Sequence, residues 1–228
     1  MRFSYVLFIA VFFAVTGYSC LTSGSKYIDQ GEIHYSIDYS GTIGAMPKEI
    51  LPQNLIVSFK HDKILFAMIS HIGNSGIVNL SNPDKDIYDT YFSLLTLRYY
   101  YAAEQGEMYP GFEAMEGMEL RKTIKTAVIC GYNCKNAEVT FPADRQKIYD
   151  VWYTDEIKVK NPNASSPFNE LDGVMLSFFF LIGHSELRFN AENVYKKDIP
   201  DQLFERREKF VRVSREELIK LMEKFLKF

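Results

Sequence analysis

The sequence predicts a mainly β fold of the α+β class: a curved antiparallel meander sheet, partly closed into a barrel, with a C-terminal helix packed on it. Segments in which apolar and polar residues alternate recur along the chain, with turn-forming residues between them. An apolar stripe with the period of a helix is found only near the C-terminus. Successive strands that are joined by short turns favour antiparallel pairing.

The alternation is clearest in the first strand, where every second residue is large and apolar. These positions are Ile33, Tyr35, Ile37 and Tyr39. Residues 55–59 and 64–69 flank a short polar turn and predict a hairpin. We interpret residues 91–102 as one long aromatic strand. Further strands are predicted over residues 76–80, 122–129, 135–141 and 147–153.

The last part of the chain predicts two strands and then the helix. Residues 174–182 are almost entirely apolar, which predicts a strand that is covered on both faces. In the strand that follows, Leu187, Phe189 and Ala191 point inward. One helical turn is predicted over residues 200–204, and a capping box formed by Ser214 and Glu217 predicts the start of the helix. The apolar stripe of this helix consists of Leu218, Leu221, Met222, Phe225 and Leu226.

Residues 1–19 have the features of an export signal, and Cys20 follows them directly. An arginine precedes an apolar run that is too short to cross a hydrocarbon core of about 30 Å. The small residue before Cys20 resembles the lipobox of bacterial lipoproteins, in which the thiol is acylated and becomes the mature N-terminus. The alternative is an ordinary secretory signal whose cleavage site lies beside a cysteine. We expect a tether over residues 20–29 and one domain over residues 30–228, because no linker divides them.

The polar residues after Cys20 contain no acidic cluster that resembles a surface-export or inner-membrane retention signal. We therefore expect a lipoprotein that is anchored in the outer membrane and faces the periplasm. Attachment would rest on the acyl chains of Cys20, because the net charge of −3 gives no attraction to anionic headgroups. The same charge argues against a nucleic-acid partner.

Cys130 and Cys134 are the other cysteines of the chain. Because an exported protein meets an oxidising compartment, a disulfide could join them across the mouth of a hairpin whose turn contains Gly131. Alternatively, both remain thiols. Their spacing is longer than that of a Cys-x-x-Cys redox motif, and no histidine lies nearby to complete a zinc site.

The sequence contains no recognisable catalytic or metal-binding pattern. The histidines are His34, His61, His71 and His184, and none of them stands at metal-binding spacing from another. There is no nucleophile elbow and no phosphate-binding glycine loop. Asp155 and Glu156 are adjacent in an extended segment, so their carboxylates point to opposite faces and cannot converge on one glycosidic bond. We expect no enzyme activity, no metal and no cofactor.

Six short motifs occur in order along the chain, at residues 131–137, 151–157, 166–168, 172–176, 201–204 and 209–214. Together they resemble the exported Bacteroidetes proteins of the domain-of-unknown-function group DUF4412 and the related GLPGLI family, over about residues 30–225. The motif that names the latter family is reduced here to Leu-Asp-Gly-Val-Met-Leu. The resemblance implies a fold similar to the LolA-like lipoprotein-carrier superfamily and an address in the cell envelope, but no settled activity.

The excess of large apolar side chains predicts a ligand site on the concave face of the sheet. If the helix does not fill this face, a cavity suited to a lipid or another hydrophobic ligand remains, as the LolA-like resemblance implies. The candidate ligand contacts are Ile33, Tyr35, Tyr39, Trp152, Phe178 and Phe180. The candidate lid consists of Met108, Phe112, Met115 and Met118, because thioether side chains repack easily. In the alternative hypothesis these residues fill a solid core, and the protein is an envelope interaction or scaffold lipoprotein.

Overall fold

The protein forms one curved sheet of twelve strands and one α-helix within the residues that the computed structural model describes, which are 27–41, 51–71, 75–182 and 185–226. The strands are β1 (Gln30–Gly41), β2 (Asn54–Lys60), β3 (Lys63–Ile69), β4 (Gly76–Asn82), β5 (Ile87–Leu94), β6 (Leu97–Ala102), β7 (Glu119–Ile129), β8 (Tyr132–Phe141), β9 (Asp144–Thr154), β10 (Val174–Ile182), β11 (Ser185–Tyr195) and β12 (Val211–Arg212). The helix α1 spans Arg215–Leu226. The predicted mainly β class and the C-terminal helix are confirmed.

The strand order shows two meanders joined side by side: β12-β6-β5-β4-β3-β2-β1-β11-β10-β9-β8-β7. All neighbours are antiparallel except β12 and β6, which are parallel. The strands β7 and β12 are the two edges, and they do not pair with each other in the described ranges, so the sheet is open. The predicted meander is therefore confirmed, whereas the predicted partial closure into a barrel is not.

The long strand predicted over residues 91–102 is instead a hairpin of β5 and β6. The chain reverses at Leu95 and Thr96, directly beyond the pair Leu94–Leu97. Leu95 has a φ of 55° and is 68% exposed. Two-residue turns of this kind favour Gly, Asn or Asp, which carry little steric cost at positive φ. None of these residues is present, so the turn has no signature in the sequence.

The turn between β7 and β8 also places the two cysteines apart. Cys130 and Gly131 form this turn, with φ values of 50° and 82°, as a type I′ hairpin requires. Cys134 lies inside β8, where it pairs with Ala127. The disulfide that the sequence allowed is not formed in this structure, in which both side chains are thiols. Cys130 donates to the carbonyl oxygen of Ala191 at 3.3 Å, and burial raises the pKa of its thiol.

The two faces of the sheet are covered by different parts of the chain. We call the face that carries Met68, Ile77 and Phe92 the inner face; these residues are cross-strand partners on β3, β4 and β5 and so point to one side. The helix α1 packs on this face, where Leu218 and Met222 are buried against Phe92. The predicted apolar stripe is confirmed for these two residues, while the side chains of Phe225 and Leu226 lie outside the described part.

The helix begins as its capping box predicts. The hydroxyl oxygen of Ser214 accepts a hydrogen bond from the backbone N–H of Glu217 at 3.2 Å. The side chain of Arg215, the first helical residue, donates to the carbonyl oxygen of Met108 at 2.5 Å and to Glu107 at 3.2 Å. The start of α1 is thus fixed to the segment that follows β6.

Residues 103–118 connect β6 to β7 and cross the inner face; we call them the crossing segment. The crossing follows from the topology, because β6 lies next to one edge of the sheet and β7 forms the other edge. The backbone N–H of Tyr109 donates to the carbonyl oxygen of Ser165 at 3.0 Å, and the ring of Phe112 lies 4.3 Å from that of Phe180 on β10. The crossing segment and the loop between β9 and β10 therefore cover the middle of the sheet together.

The outer face of β3 to β5 is covered by the chain between β11 and β12. Ile199 and Phe204 are buried there against Leu65 and Leu80. Phe204 belongs to the helical turn Asp201–Phe204, which confirms the turn predicted after Pro200.

An ion pair holds the same chain in place on the outer face. The guanidinium of Arg206 donates twice to Asp89, from Nε at 2.8 Å and from Nη2 at 3.1 Å, and Asp89 is fully buried. The hydroxyl of Tyr91 donates to the same carboxylate at 2.6 Å. Bidentate pairs of this kind are among the stronger hydrogen bonds of proteins, so they fix the C-terminal part of the chain to β5.

Residues 1–19, Cys20 and most of the predicted tether lie outside the described residues. In the part of the chain that the structure describes, no helix is both long enough and apolar enough to cross a membrane.

Candidate functional site

A cavity of about 80 Å³ lies between the inner face and the segments that cover it. Leu55, Phe66 and Ile77 line it from the sheet on one side of β1, and Phe180 and Phe189 line it from the other. The crossing segment, residues 161–166 and Met222 of α1 form the opposite wall. Its lining is mostly apolar, because the inner-facing positions of β2, β3, β10 and β11 are apolar residues.

A second cavity of about 30 Å³ lies beside the first. Its own walls are mostly apolar, at Leu51, Phe92 and Leu187 among others, and Ser185 is the hydroxyl-bearing residue beside Tyr39. The side chains that line both cavities are Met68, Ile77, Ile182 and Met222. These four residues separate the two spaces, and two of them are methionines, whose unbranched side chains change shape easily. We call the two cavities together the crevice.

One end of the crevice is polar. Asn79 and Ser81 of β4 line the larger cavity, facing Tyr109, Asn163 and Ser165. Burial raises the pKa of the Tyr109 phenol, and hydrogen bonds from the side chains of Ser165 and Ser81 oppose this shift. The side-chain amide of Asn163 donates to the carbonyl oxygens of Leu171 and Gly173 at 2.8 and 2.9 Å. This end therefore presents hydroxyl and amide groups that are held in place by the surrounding backbone.

The predicted ligand contacts divide into three groups. Phe180 lines the larger cavity and Tyr39 lines the smaller one, where its hydroxyl donates to the carbonyl oxygen of Pro52 at 2.7 Å. Ile33, Tyr35 and Phe178 are buried beside the crevice and are not among its lining residues.

The buried group is held by ring packing and one hydrogen bond. The ring of Phe178 stacks on Phe189 with centroids 4.8 Å apart and meets Tyr35 edge-on at 5.6 Å. The hydroxyl of Tyr35 donates to the carbonyl oxygen of Met175 at 2.7 Å. These side chains support the wall of the crevice from behind.

Trp152 is the predicted contact that lies away from the crevice. It is half-buried on β9, opposite Asn136 of β8 and Ser177 of β10, and lines neither cavity. Its neighbours Val151 and Tyr153 are buried, as expected for residues on the other face of the same strand.

The predicted lid residues all lie on the crossing segment that covers the inner face. Phe112 lines the larger cavity. Met115 is buried, and its sulfur accepts from the backbone N–H of Leu181 at 3.2 Å. Met108 and Met118 are partly buried against the core. Of these four side chains, Phe112 is therefore the one in contact with the cavity.

Residues with the chemistry of metal ligands or general acids are dispersed. No group of three or more His, Cys, Asp or Glu side chains converges in the described ranges. His34 lies 3.1 Å from Glu32 and His61 lies 3.6 Å from Asp29, while His184 is outside these ranges. Asp155 pairs with Lys135 at 2.9 Å.

The carboxylate of Glu156, which follows Asp155, accepts instead from the backbone and the side chain of Asn133, at 3.0 and 2.8 Å. The two adjacent carboxylates thus have separate partners.

Sequence reasoning did not identify the polar end of the crevice. Nothing in the sequence of the strand predicted over residues 76–80 indicates that the side chain of Asn79 is covered by another segment. Tyr109 lies within the predicted lid, between Met108 and Phe112, but the sequence does not distinguish it as a lining residue. A signal was present in the density of Asn and Ser between residues 161 and 166, which forms the facing wall.

Comparison with solved structures identifies a similar fold in PNGF-II. Two crystal forms match with TM-scores of 0.53 and 0.52, at 18% and 19% identity, and cover 86% and 87% of this chain. The chain spans about a third of the length of PNGF-II, 34% and 33% in the two forms. At this level of identity the similarity concerns the fold alone.

Two further structures match at lower scores. The LolA superfamily protein NE2245 from Nitrosomonas europaea has a TM-score of 0.34 at 11% identity, covering 78% of this chain and 90% of its own. The lipoprotein LppX from Mycobacterium tuberculosis has a TM-score of 0.31 at 9% identity, covering 75% of this chain and 89% of its own. These scores are too low to carry an argument about the chain.

No protein-family model matches the chain, and no curated protein matches it. The resemblance to the DUF4412 and GLPGLI proteins therefore stays a prediction from the sequence motifs.

Proposed function

We propose that this chain is a non-catalytic lipoprotein of the cell envelope that binds a hydrophobic ligand in the crevice between the inner face and the crossing segment. The observation that carries the proposal is the line of two mostly apolar cavities, of about 80 and 30 Å³, beneath a segment rich in methionine. Burial of apolar ligand surface there would supply the binding free energy, at about 25 cal/mol per Å².

Ligand entry requires the covering side chains to move. The larger cavity is well below the roughly 300 Å³ at which small-molecule sites begin. Rotation of Met68 and Met222 would join the two cavities, and displacement of Phe112 would open the larger one toward the crossing segment. Thioether side chains change rotamer at little cost, so the closed crevice is compatible with an open form that a ligand selects.

The envelope location rests on Cys20 and the signal that precedes it. We propose that Cys20 is acylated and holds the domain at the periplasmic face of the outer membrane. Mass spectrometry of the mature protein tests the acylation directly. An N-terminal diacylglyceryl cysteine at residue 20 is the expected result, and a free N-terminus at any other residue would refute the proposal.

The binding proposal is tested by uptake of an uncharged apolar fluorescent dye and by organic extraction of the purified protein. The variant Ile77→Trp places a bulky ring between the two cavities, and we expect it to reduce dye affinity at least tenfold. Overpacking costs about 1–3 kcal/mol, so near-ultraviolet circular dichroism must confirm that the variant is folded.

The matched control is Ile124→Trp. Ile124 is fully exposed on the edge strand β7, so this substitution adds the same indole far from the crevice. Dye affinity equal to that of the wild type is expected. If Ile77→Trp is folded and binds dye as well as the control does, the crevice is not the binding site.

The small size of the cavities favours a second candidate, an interaction or scaffold lipoprotein with a solid core. The same measurements distinguish the two. Stoichiometric co-purified lipid or saturable dye uptake supports ligand binding, whereas the absence of both supports the scaffold and refutes the first proposal.

A further inference from the structure

We infer that the crevice selects an amphiphile with an uncharged, hydrogen-bonding head and an apolar tail, in preference to a fatty acid or a charged lipid. The inference rests on the proposed ligand-binding function and adds to it the chemical class of the ligand. It follows from the charge of the lining, the direction of its polarity and the hydrogen-bonding groups at one end.

None of the described residues that line either cavity carries a formal charge. This is notable in a chain in which 24% of the residues are charged. An ionised head in the crevice would lose its hydration without gaining a countercharge, which is costly in an apolar environment. The lining therefore disfavours carboxylate, phosphate and ammonium heads alike.

The polarity of the crevice runs along β4. Its inner-facing residues are Ile77, Asn79 and Ser81, which pair across β3 with Met68, Phe66 and Ile64 respectively. Ile77 borders the smaller, apolar cavity, whereas Ser81 lies at the polar end. Four strand residues correspond to about 13 Å, so the crevice is long enough to separate a head from a tail.

The polar end offers both donors and acceptors to a neutral head. Since Ser81 and Ser165 donate to the Tyr109 oxygen, the Tyr109 proton remains to donate to a head and the two serine oxygens remain to accept from it. The side-chain amide nitrogen of Asn163 donates both of its hydrogens to backbone carbonyl oxygens. The Oδ1 of this side chain therefore remains as an acceptor for a ligand. A hydroxyl, ester or amide head would satisfy these groups without bringing in a charge.

The buried carboxylate of Asp89, on the far side of the sheet from Tyr109, is already paired. Apart from burial, which is the main cause, the carboxylate of Asp89 raises the pKa of the Tyr109 phenol. Asp89 lies on the other side of the sheet, bound to Arg206. Because Arg206 already neutralises Asp89, this carboxylate offers a cationic head no free countercharge.

The test is displacement of a bound uncharged dye by ligands that share one twelve-carbon tail, below the concentrations at which they self-associate. The set consists of 1-monolauroylglycerol, dodecanol, laurate and dodecyltrimethylammonium at pH 7. We expect the two neutral ligands to bind at least tenfold more tightly than either charged ligand. Equal affinity, or tighter binding of a charged ligand, would overturn the inference while leaving the proposed function intact.

Variants at the polar end locate the head. Tyr109→Phe and Ser81→Ala each remove one hydroxyl group and leave the rest of the side chain in place. We expect each variant to bind monolauroylglycerol about fivefold to tenfold more weakly. The affinity for the apolar dye, which has no hydrogen-bonding head, should fall less than the affinity for monolauroylglycerol, and an equal fall for both would overturn the inference. Tyr195→Phe, at a residue that is 44% exposed, is the matched control.

The outcomes separate this inference from the proposal beneath it. Unchanged monolauroylglycerol affinity in both variants would show that the head does not lie at the polar end and would overturn the inference. If neither the dye nor any of the four ligands binds the wild type, the proposed function itself fails, and the inference fails with it.

Discussion

Removal of one hydroxyl, in the variant Tyr35→Phe, should measurably destabilise the protein. Tyr35 is 1% exposed, and its hydroxyl donates to the carbonyl oxygen of Met175 at 2.7 Å. Met175 lies where the pairing of β9 and β10 changes register, so the ladder between these strands is interrupted there. The ring and its contact with Phe178 are kept, which restricts the change to the hydrogen bond.

The magnitude follows from what the substitution leaves behind. A hydrogen bond contributes about 0.5–1.5 kcal/mol net, but a buried acceptor left without its donor costs about 1–3 kcal/mol. Because Tyr35 and Met175 are both buried, we expect a loss of about 1–3 kcal/mol in the free energy of unfolding. For a chain of this size, each kcal/mol corresponds to a fall of about 2–4 °C in Tm.

Urea unfolding, followed by circular dichroism at pH 7, measures the loss. Tyr195→Phe is the control, because its side chain is 44% exposed and exposed substitutions usually change stability by less than about 0.5 kcal/mol. If Tyr35→Phe matches the control, the hydroxyl is solvated in the native protein. The reasoning that assigns Tyr35 to a dry wall behind the crevice would then be refuted.

Three further predictions concern the elements that hold the covering segments. Asp89→Ala should lower the free energy of unfolding by about 2 kcal/mol or more. The loss should be less than the 3–5 kcal/mol expected for a fully buried ion pair, because Arg206 is half-exposed. Urea unfolding that shows no change would contradict a stabilising role for this ion pair. Burial opposes ionisation of Glu186, but hydrogen bonds from Lys147 and Arg188 hold the pKa of its carboxyl below the ordinary value. The wild type should therefore have a higher free energy of unfolding than Glu186→Gln. This difference should be complete above about pH 5 and should vanish as the pH falls through the lowered pKa. A difference that persists at pH 2 would refute this prediction. Leu218→Ala should lower the free energy of unfolding by about 2–5 kcal/mol, because Leu218 is fully buried. Hydrogen exchange should become faster in α1 before it does in β5. An equal increase in exchange rate in α1 and β5 would contradict a local role for Leu218.

The sequence was most informative where the structure depends on local alternation. The period of two in β1 and β11, and the apolar run of β10, specify strands because each residue's face is fixed by its neighbours. The hairpin of β2 and β3 was visible for the same reason. The turn at Leu95 was not visible, because the pairing of β5 with β6 and their packing impose a positive φ on a residue that does not favour it.

The order of the sheet depends on contacts that are distant in the sequence. The pairing of β1 with β11 joins the two meanders, and β12 joins β6 in parallel. No local pattern indicates either contact. An open sheet and a partly closed barrel consist of the same strands, so the alternation that predicts the strands cannot decide between them.

The region of the candidate site could be predicted from the sequence, but its individual lining residues could not. Phe180, Tyr39 and Phe112 were selected as large apolar groups on the concave face or its cover, and they do line the crevice. Tyr35 was selected by the same criterion, yet packing places it behind the wall. The polar end at Ser81 depends on a loop that comes from about 80 residues further along the chain.

The most direct test of hydrophobic-ligand binding in the crevice is methyl NMR of protein labelled at the methionine ε-methyl groups, during titration with dodecanol. Met68 and Met222 line both cavities, and single Met→Leu variants assign their signals. We predict saturable shifts of these two signals with one ligand per chain, and a smaller shift for Met108, which lines neither cavity. Signals of Met68 and Met222 that remain fixed up to the solubility limit of the ligand would contradict the account.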